Sequence, residues 1–317
     1  MAVVIPAYNA EDFIARCLES VYSQSRPPDE IIVVDDGSTD HTPDLLEKGG
    51  GRVKVLRTRN NGLAAARNAG FSLTQCRYVA FLDADDYWPS HKLEVYNDYA
   101  RRYPRVGLFY SDYYCFRSEK VYRRVRAGAP GSNPFFQMLK YNCVASSAAM
   151  VDRDVWQRVG GLRGGFSHPA GVVDWDFFLK AAQVTPFQYI PEPLMFYRVH
   201  EKSAMQTRQE AMWKDSVRVV LWHSKNNSVP LQVKKEALAA LFYQSGLRWL
   251  TAGFPKKARD HFFRSLRFSF GSSPSAVLFL VSLGGARVIS SLLALRRYLS
   301  RLFTLVSKSN DGSRGWS

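Results

Sequence analysis

The stretch Tyr78-Val79-Ala80-Phe81-Leu82-Asp83-Ala84-Asp85-Asp86 constrains the fold of this chain more than any other. Five mostly apolar residues run straight into three carboxylates within four positions, so a buried strand ends by delivering charge to one place. If the strand geometry continues, successive side chains point to opposite faces, which puts Asp83 and Asp85 on one side. Paired hard oxygen donors of that kind suit a divalent cation. The plainer alternative is a strand that ends in a solvated turn, with Asp86 capping the next helix.

The pattern recurs along the first half of the chain. Ala2 to Ile5 reads as a short buried strand stopped by Pro6, followed by the loop Ala7-Tyr8-Asn9-Ala10 and a helical pattern from Glu11 to Gln24. Ile31 to Val34 is a continuous apolar run, as in a strand covered on both faces, and it ends in Asp35-Asp36-Gly37-Ser38-Thr39-Asp40. Val53 to Leu56 gives a third strand. Asn60-Asn61-Gly62 then turns into the alanine-rich helix Leu63 to Gly70, ended by its glycine. Strands alternating with helices at this spacing predict an α/β fold with a mostly parallel, Rossmann-like sheet flanked by helices. Ligands of such sheets collect beyond the carboxyl ends of the strands, where Pro6 to Asn9, Asp36, Asn61-Gly62 and Asp83 to Asp86 all fall. No GxGxxG follows the first strand and no GxxxxGK[ST] occurs, which disfavours a dinucleotide dehydrogenase or a P-loop enzyme. A receiver domain would place its paired acids after the first strand, whereas here they follow the second and fourth.

The second half is less regular. A helix around His91 to Arg101 leads to a strand at Val106 to Tyr110, and Phe116 to Asn133 reads as an exposed excursion. Ser146 to Val151 resumes a strand, and Asp152 to Val159 is a short helix ended by Gly160-Gly161. A glycine-containing loop, Arg163 to Gly171, then becomes Val172-Val173-Asp174-Trp175-Asp176-Phe177-Phe178-Leu179-Lys180. Acids in a first helical turn are either ordinary dipole chemistry or carboxylates presented beside a flexible loop. His200 closes the apolar run Met195 to Val199, as a surface histidine or as a ligand or diphosphate partner. Arg208 to Ser224, Leu231 to Leu250 and Pro255 to Phe270 read as helices.

Charge separates the two ends. The chain of 317 residues carries a net +15, and 19 Lys or Arg against 6 Asp or Glu lie from Glu201 to Ser317. That excess suggests a polyanion partner, either nucleic acid or an anionic membrane surface. Ser275 to Leu295 is apolar, but Arg287 interrupts it, and Gly271 and Pro274 stop its backward extension before the ~20 uninterrupted apolar residues of a spanning helix are reached. Val288, Leu292, Leu295, Leu299, Leu302, Phe303 and Val306 share one helical sector with Arg297, Arg301 and Lys308 opposite. A basic amphipathic helix of this kind suits the interface of an anionic leaflet, or packs on its own domain. The four cysteines show neither CxxC spacing nor a paired framework, which fits a reducing compartment. The start lacks a basic segment followed by a long apolar one, so a secretory signal is not expected and the catalytic face is expected in the cytoplasm.

Taken in order, Val4-Ile5-Pro6-Ala7-Tyr8-Asn9, Val33-Val34-Asp35-Asp36-Gly37-Ser38-Thr39-Asp40, Asn61-Gly62 with Ala66-Arg67-Asn68-Ala69-Gly70, and Phe81-Leu82-Asp83-Ala84-Asp85-Asp86 resemble the successive motifs of family 2 glycosyltransferases with the GT-A fold. The resemblance covers Met1 to about Lys202. It implies inverting transfer of a sugar from a nucleotide-sugar donor, a UDP- or other NDP-sugar. By that resemblance Pro6, Ala7 and Tyr8 line the nucleoside pocket, with Asp36 on the base and Arg67 near the base or diphosphate, and Asn9, Glu11, Asn61 and Gly62 are counted among the donor-binding residues. Asp83 would bind ribose or donor sugar, with Ala84 counted beside it in the donor site, and Asp85 would hold Mn2+ or Mg2+, with His200 helping to hold the diphosphate or the metal. Asp174 is the first choice for catalytic base and Asp176 the second, with Val173 where the family commonly has glutamate. The organisation expected is a catalytic domain at 1–202, a helical basic region at 203–306 and a disordered tail at 307–317. The expected acceptor is a lipid-linked or cell-surface glycan and the expected location the inner face of the membrane, without nucleic acid. A nucleotidyltransferase and a nucleotide-sugar-binding protein with impaired catalysis are the alternatives.

Overall fold

The computed structural model describes residues 1–48, 51–166, 172–200, 209–225, 228–269 and 279. The chain divides into two compact units, Met1–Pro230 and Leu231–Ser317. The first is built on an eight-stranded sheet of β1 (Ala2–Ala7), β2 (Glu30–Asp35), β3 (Lys54–Arg57), β4 (Tyr78–Phe81), β5 (Leu108–Arg117), β6 (Lys120–Val125), β7 (Ala149–Asp152) and β8 (Phe187–Arg198). The order is β3-β2-β1-β4-β7-β5-β6, with β8 beside β5. β1 to β4 are mutually parallel, and β8 is parallel to β5, while β7 and β6 run against their neighbours. The mostly parallel α/β fold expected from the sequence is the one observed.

The helices of this unit are α1 (Ile14–Tyr22), α2 (Thr42–Glu47), α3 (Leu63–Ser72), α4 (Lys92–Arg102), α5 (Pro134–Lys140), α6 (Arg153–Val159), α7 (Val173–Ala181) and α8 (Gln209–His223). Every side chain of β1 is buried, as its unbroken apolar run demands of a central strand. Pro6 was expected to stop β1, yet the strand continues through Ala7. The Val4 carbonyl accepts from Leu82 on the β4 side and the Ala7 carbonyl accepts from Asp36 on the β2 side. Pro6 therefore turns its missing donor toward β4, whose pairing with β1 ends at Val4, so no ladder bond is lost.

Two further differences have local causes. Gly70 does not end α3; it lies inside the helix, where an added Cβ would come within 2.5 Å of Val4 Cγ1 and 3.1 Å of Val34 Cγ2. The glycine is there to let α3 approach β1 and β2. Within the supposed excursion after Phe116, β5 continues to Arg117, turns at Ser118 and Glu119 with φ of 45° and 63°, and returns as β6. Residues 120–124 of β6 are all exposed, so no apolar alternation marks that strand.

In the second unit, α9 (Leu231–Thr251) and α10 (Pro255–Phe268) form a helical hairpin. Leu250, Ala258 and Phe262 make its core, and Ser265 Oγ donates to the Ala239 carbonyl at 2.8 Å. The amphipathic stretch from Val288 to Val306 and the tail at 307–317 lie outside the described residues. Among the described residues no helix is long and apolar enough to cross a membrane.

Candidate active site

Four loops meet at the carboxyl rim of β1 to β4, and Asp36 joins two of them. The Asp36 carboxylate, 4% exposed, accepts from Thr58 Oγ1 at 3.0 Å and the Asn61 N–H at 2.9 Å on Oδ1, and from the Gly62 N–H at 2.7 Å on Oδ2. Gly62, at φ 87°, adopts the left-handed conformation that aims its N–H at this carboxylate just before α3 begins. Asn9 fastens the first loop to the second: its N–H donates to Ser38 Oγ at 2.9 Å and its Oδ1 accepts from the Thr39 N–H at 2.8 Å. Glu11 accepts from the His41 N–H at 2.9 Å, at the outer end of the same seam. Pro6 and Ala7 are buried in β1, whereas Tyr8 stands 49% exposed on the rim.

The acids after β4 do not continue the strand. β4 ends at Phe81, and the Asp86 N–H donates to the Asp83 carbonyl at 3.0 Å, closing a tight turn. Alternation therefore does not set their directions; separate partners do. Asp83 receives Arg67 Nη2 on its carboxylate, and its N–H donates to Ser147 Oγ at 3.0 Å. Ala84 is buried in the core under the turn. Asp85 Oδ2 lies 3.0 Å from His200 Nε2, and its carbonyl accepts from Arg198 Nε at 3.0 Å. Asp86 is buried, and its Oδ1 accepts from the Arg198 N–H at 3.0 Å.

Arg67 is the hub. Its side chain is 1% exposed, its Nη1 donates to Asp174 Oδ1 in the first turn of α7, and its Nη2 donates to Asp83. One guanidinium fork thus joins the turn after β4 to a helix some ninety residues on. Only a planar group with several fixed donors can bridge two carboxylates in this way. Burial works against its charge, but the carboxylates of Asp174 and Asp83 outweigh that and raise the Arg67 pKa. Burial raises the Asp83 carboxyl, with Arg67 opposing and Asp85 and Asp174 reinforcing the rise. Asp86 is pushed well above the ordinary carboxylate value by burial, then by Asp85 and Asp83.

Asp174 and Asp176 are two positions apart, about 200° around a helix, and so face opposite ways. Asp174 meets Arg67. Asp176, fully buried, sits 2.8 Å from His223 Nε2 with Arg163 and Lys180 at 3.6 and 3.7 Å. Burial opposes its charge, but His223, Lys180 and Arg163 hold its carboxyl below the ordinary value. The structure thus gathers Arg67, Asp83 and Asp174 in one cluster, sets Asp85 and His200 beside it, and keeps Asp176 apart from both. Ser147 escaped the sequence reading, lying in a run of small residues with nothing to mark it. Its hydroxyl holds Asp83, and its carbonyl accepts from Trp88 Nε1 at 2.7 Å and Lys92 Nζ at 3.2 Å.

Among the described residues no group of three or more His, Cys, Asp or Glu side chains is placed to hold a metal ion. The pair Asp85 and His200 nevertheless fits a partial shell. Their 3.0 Å contact brings one carboxylate oxygen and one imidazole nitrogen to the same point of the rim. One carboxylate oxygen and one imidazole nitrogen suit Mn2+ or Mg2+ once ligand oxygens complete the set.

Residues 2–160 match Glycosyl transferase family 2. The chain belongs to this family. Among its relatives, the Escherichia coli UDP-Glc:alpha-D-GlcNAc-diphosphoundecaprenol beta-1,3-glucosyltransferase WfaP is 36% identical over 156 residues, 48% of this chain and 61% of that protein. The putative teichuronic acid biosynthesis glycosyltransferase TuaG of Bacillus subtilis is 35% identical over 158 residues, 49% of this chain and 62% of TuaG. The matched stretch therefore spans about three fifths of these relatives' own length. In fold, the chain is similar to S. aureus TarS 1-349 in complex with UDP-GlcNAc, with a TM-score of 0.64 at 17% identity over 89% of both chains. It is also similar to the Pyrobaculum calidifontis mannosyltransferase PcManGT in complex with GDP-Man and Mn2+, with a TM-score of 0.57 at 20% identity over 92% of this chain and 84% of that one.

Proposed function

We propose that this family 2 chain is an inverting glycosyltransferase that moves a sugar from a UDP-sugar to a hydroxyl of a lipid-linked or cell-surface glycan. The observation supporting this reading is the Arg67 bridge, which sets the donor turn at Asp83 within one guanidinium of a carboxylate on a different element, Asp174. Inversion needs those two ends: a place for the departing diphosphate and, across the sugar, a base for the attacking hydroxyl.

Tyr8 offers an exposed ring for the nucleobase to lie on, and the Asp36 seam keeps that loop and the Asn61-Gly62 loop in place. Asp174 keeps Oδ1 on Arg67 and turns its second oxygen to the acceptor hydroxyl. As the acceptor oxygen bonds to the anomeric carbon, the bond from that carbon to the phosphate oxygen breaks, the hydroxyl proton passes to Asp174 and the nucleoside diphosphate leaves. Arg67 fixes the base while Asp83 holds the donor side, so both ends are oriented by one rigid group. Asp85 and His200 would hold a divalent cation, Mn2+ or Mg2+. When bound, it supplies positive charge that favours the leaving diphosphate.

The proposed acceptor class follows the activities for which WfaP and TuaG are named. An anionic membrane surface on the cytoplasmic side is proposed as partner through the basic C-terminal region; removing the residues after Pro274 should then lower binding to anionic liposomes. The direct test is a screen of UDP- and GDP-sugars for release of nucleoside diphosphate with Mn2+ or Mg2+. Release from a UDP-sugar is expected. Tight UDP binding without turnover of any donor would favour a binding protein instead.

A further inference from the structure

Helix α8 lies beyond the stretch matched by the family, which ends at residue 160, yet it is tied into the start of α7 and the chain before it. His223, at its last position, sets Nε2 2.8 Å from Asp176 Oδ1 with its side chain 9% exposed. One residue earlier, the Trp222 ring lies under the Arg163 guanidinium, 3.5 Å from ring centre to Cζ. Arg163 in turn points Nε at Asp176 Oδ2 from 3.6 Å. One turn back, Arg218 donates to the Gly165 carbonyl at 3.2 Å and lies 5.9 Å over the Phe166 ring. From α7 itself, Lys180 donates to the carbonyls of Gly161 and Val159 at 2.7 and 3.2 Å. Trp175 completes the frame by donating to the Met138 carbonyl of α5 at 2.6 Å.

Three of these side chains, His223, Arg163 and Lys180, converge on one carboxylate. Asp176 is fully buried, and its Oδ2 has ion-pair neighbours but no hydrogen bond. A buried carboxylate held this way cannot meet an acceptor hydroxyl, but it can hold a helix turn in place. It sits on the opposite face of the turn that presents Asp174 to Arg67.

We propose that α8 is a positioning element of the acceptor side, with His223 and Trp222 acting through Asp176 and Arg163 to fix the first turn of α7 and so the place of Asp174. His223, Trp222 and Asp176 are positioning residues, none touching the reacting atoms. The inference rests on the reading of Asp174 as base and adds to it residues outside the family match.

The test uses the full-length chain with His223→Ala, His223→Gln and Trp222→Ala. Hydrogen exchange is read at the amides of residues 176–178, whose helical hydrogen bonds to residues 172–174 close the first turn, and UDP affinity with Mn2+ is read by calorimetry. Losing a hydrogen bond to a buried charge predicts about ten-fold faster exchange in that turn for His223→Ala. UDP affinity should be unchanged, and His223→Gln should recover most of the protection, since glutamine can donate to the same oxygen. Transfer should follow the same order, with kcat falling in His223→Ala at an unaltered donor KM and returning in His223→Gln. Unchanged exchange in His223→Ala overturns the proposal. So does a loss of UDP affinity in parallel with the exchange, which would mark general loosening. Should Asp174→Asn keep wild-type transfer, the base assignment falls and the positioning role falls with it. Loss of transfer there with normal exchange in His223→Ala defeats the positioning role alone.

Discussion

Replacing Arg67 by methionine tests the bridge in two ways at once. Methionine fills much of the same buried space, so packing changes little, but Asp83 and Asp174 are left facing one another without the cation between them. Removing one partner of a buried ion pair costs about 3–5 kcal/mol, because the remaining charge is stranded. Asp83 keeps 32% and Asp174 16% of side-chain exposure, so solvent screens part of that, and about 2–3 kcal/mol is the reasonable share. For a unit of this size that corresponds to a fall in Tm of roughly 5–10 °C. Arg67→Lys restores the positive charge but as a single point, unable to fork to two carboxylates, so it should recover more stability than transfer. The assays are thermal melts of the three proteins and turnover of the UDP-sugar found by the donor screen. If Arg67→Met melts with the wild type and transfers at its rate, the bridge has no role and the reasoning fails. If Arg67→Lys restores transfer completely, the fork is irrelevant and only charge matters.

Other expectations follow from buried groups elsewhere. Lys92 is fully buried between the Trp88 and Tyr96 rings, and burial pushes its pKa well below 10.5, with Asp86 opposing. In the window between that lowered value and 10.5 the unfolded chain binds more protons than the folded one. Wild-type stability should therefore rise with pH through that window relative to Lys92→Met, as denaturant titrations at several pH values would show; parallel curves would contradict it. Gly70→Ala forces a methyl against Val4 and should destabilise by about 1–3 kcal/mol, the usual cost of overpacking a tight core, with a matching drop in denaturation midpoint.

How much of this could be read from residues alone differs from element to element. β1, β2 and β4 announce themselves because each is a continuous apolar run that stops in polar or acidic residues, and their rim loops could be placed for the same reason. β6 could not be read, since its exposed residues carry no period and its turn uses Ser118 and Glu119 rather than glycine or asparagine. Strand alternation misdescribed Asp83 and Asp85, because β4 ends before them and a turn sets their directions. Gly70 read as a stop signal because a helix-ending glycine and a helix-packing glycine look alike until the sheet beneath is known. The two acids of α7 could not be ranked from their spacing to a helix start, which both share. What separates them is the partner on each face, Arg67 for one and His223 for the other, both remote in sequence.

The proposed transfer depends on Asp174 as the base on the acceptor side of Arg67. Single-turnover transfer by Asp174→Asn, measured beside its UDP affinity with Mn2+, tests that most directly. The predicted result is transfer slowed by about 10²-fold or more, the scale of a lost general base, with UDP affinity within two-fold of wild type, about 0.4 kcal/mol. Transfer at the wild-type rate in Asp174→Asn would contradict it, as would its loss in a fully folded Asp176→Asn while Asp174→Asn remained active.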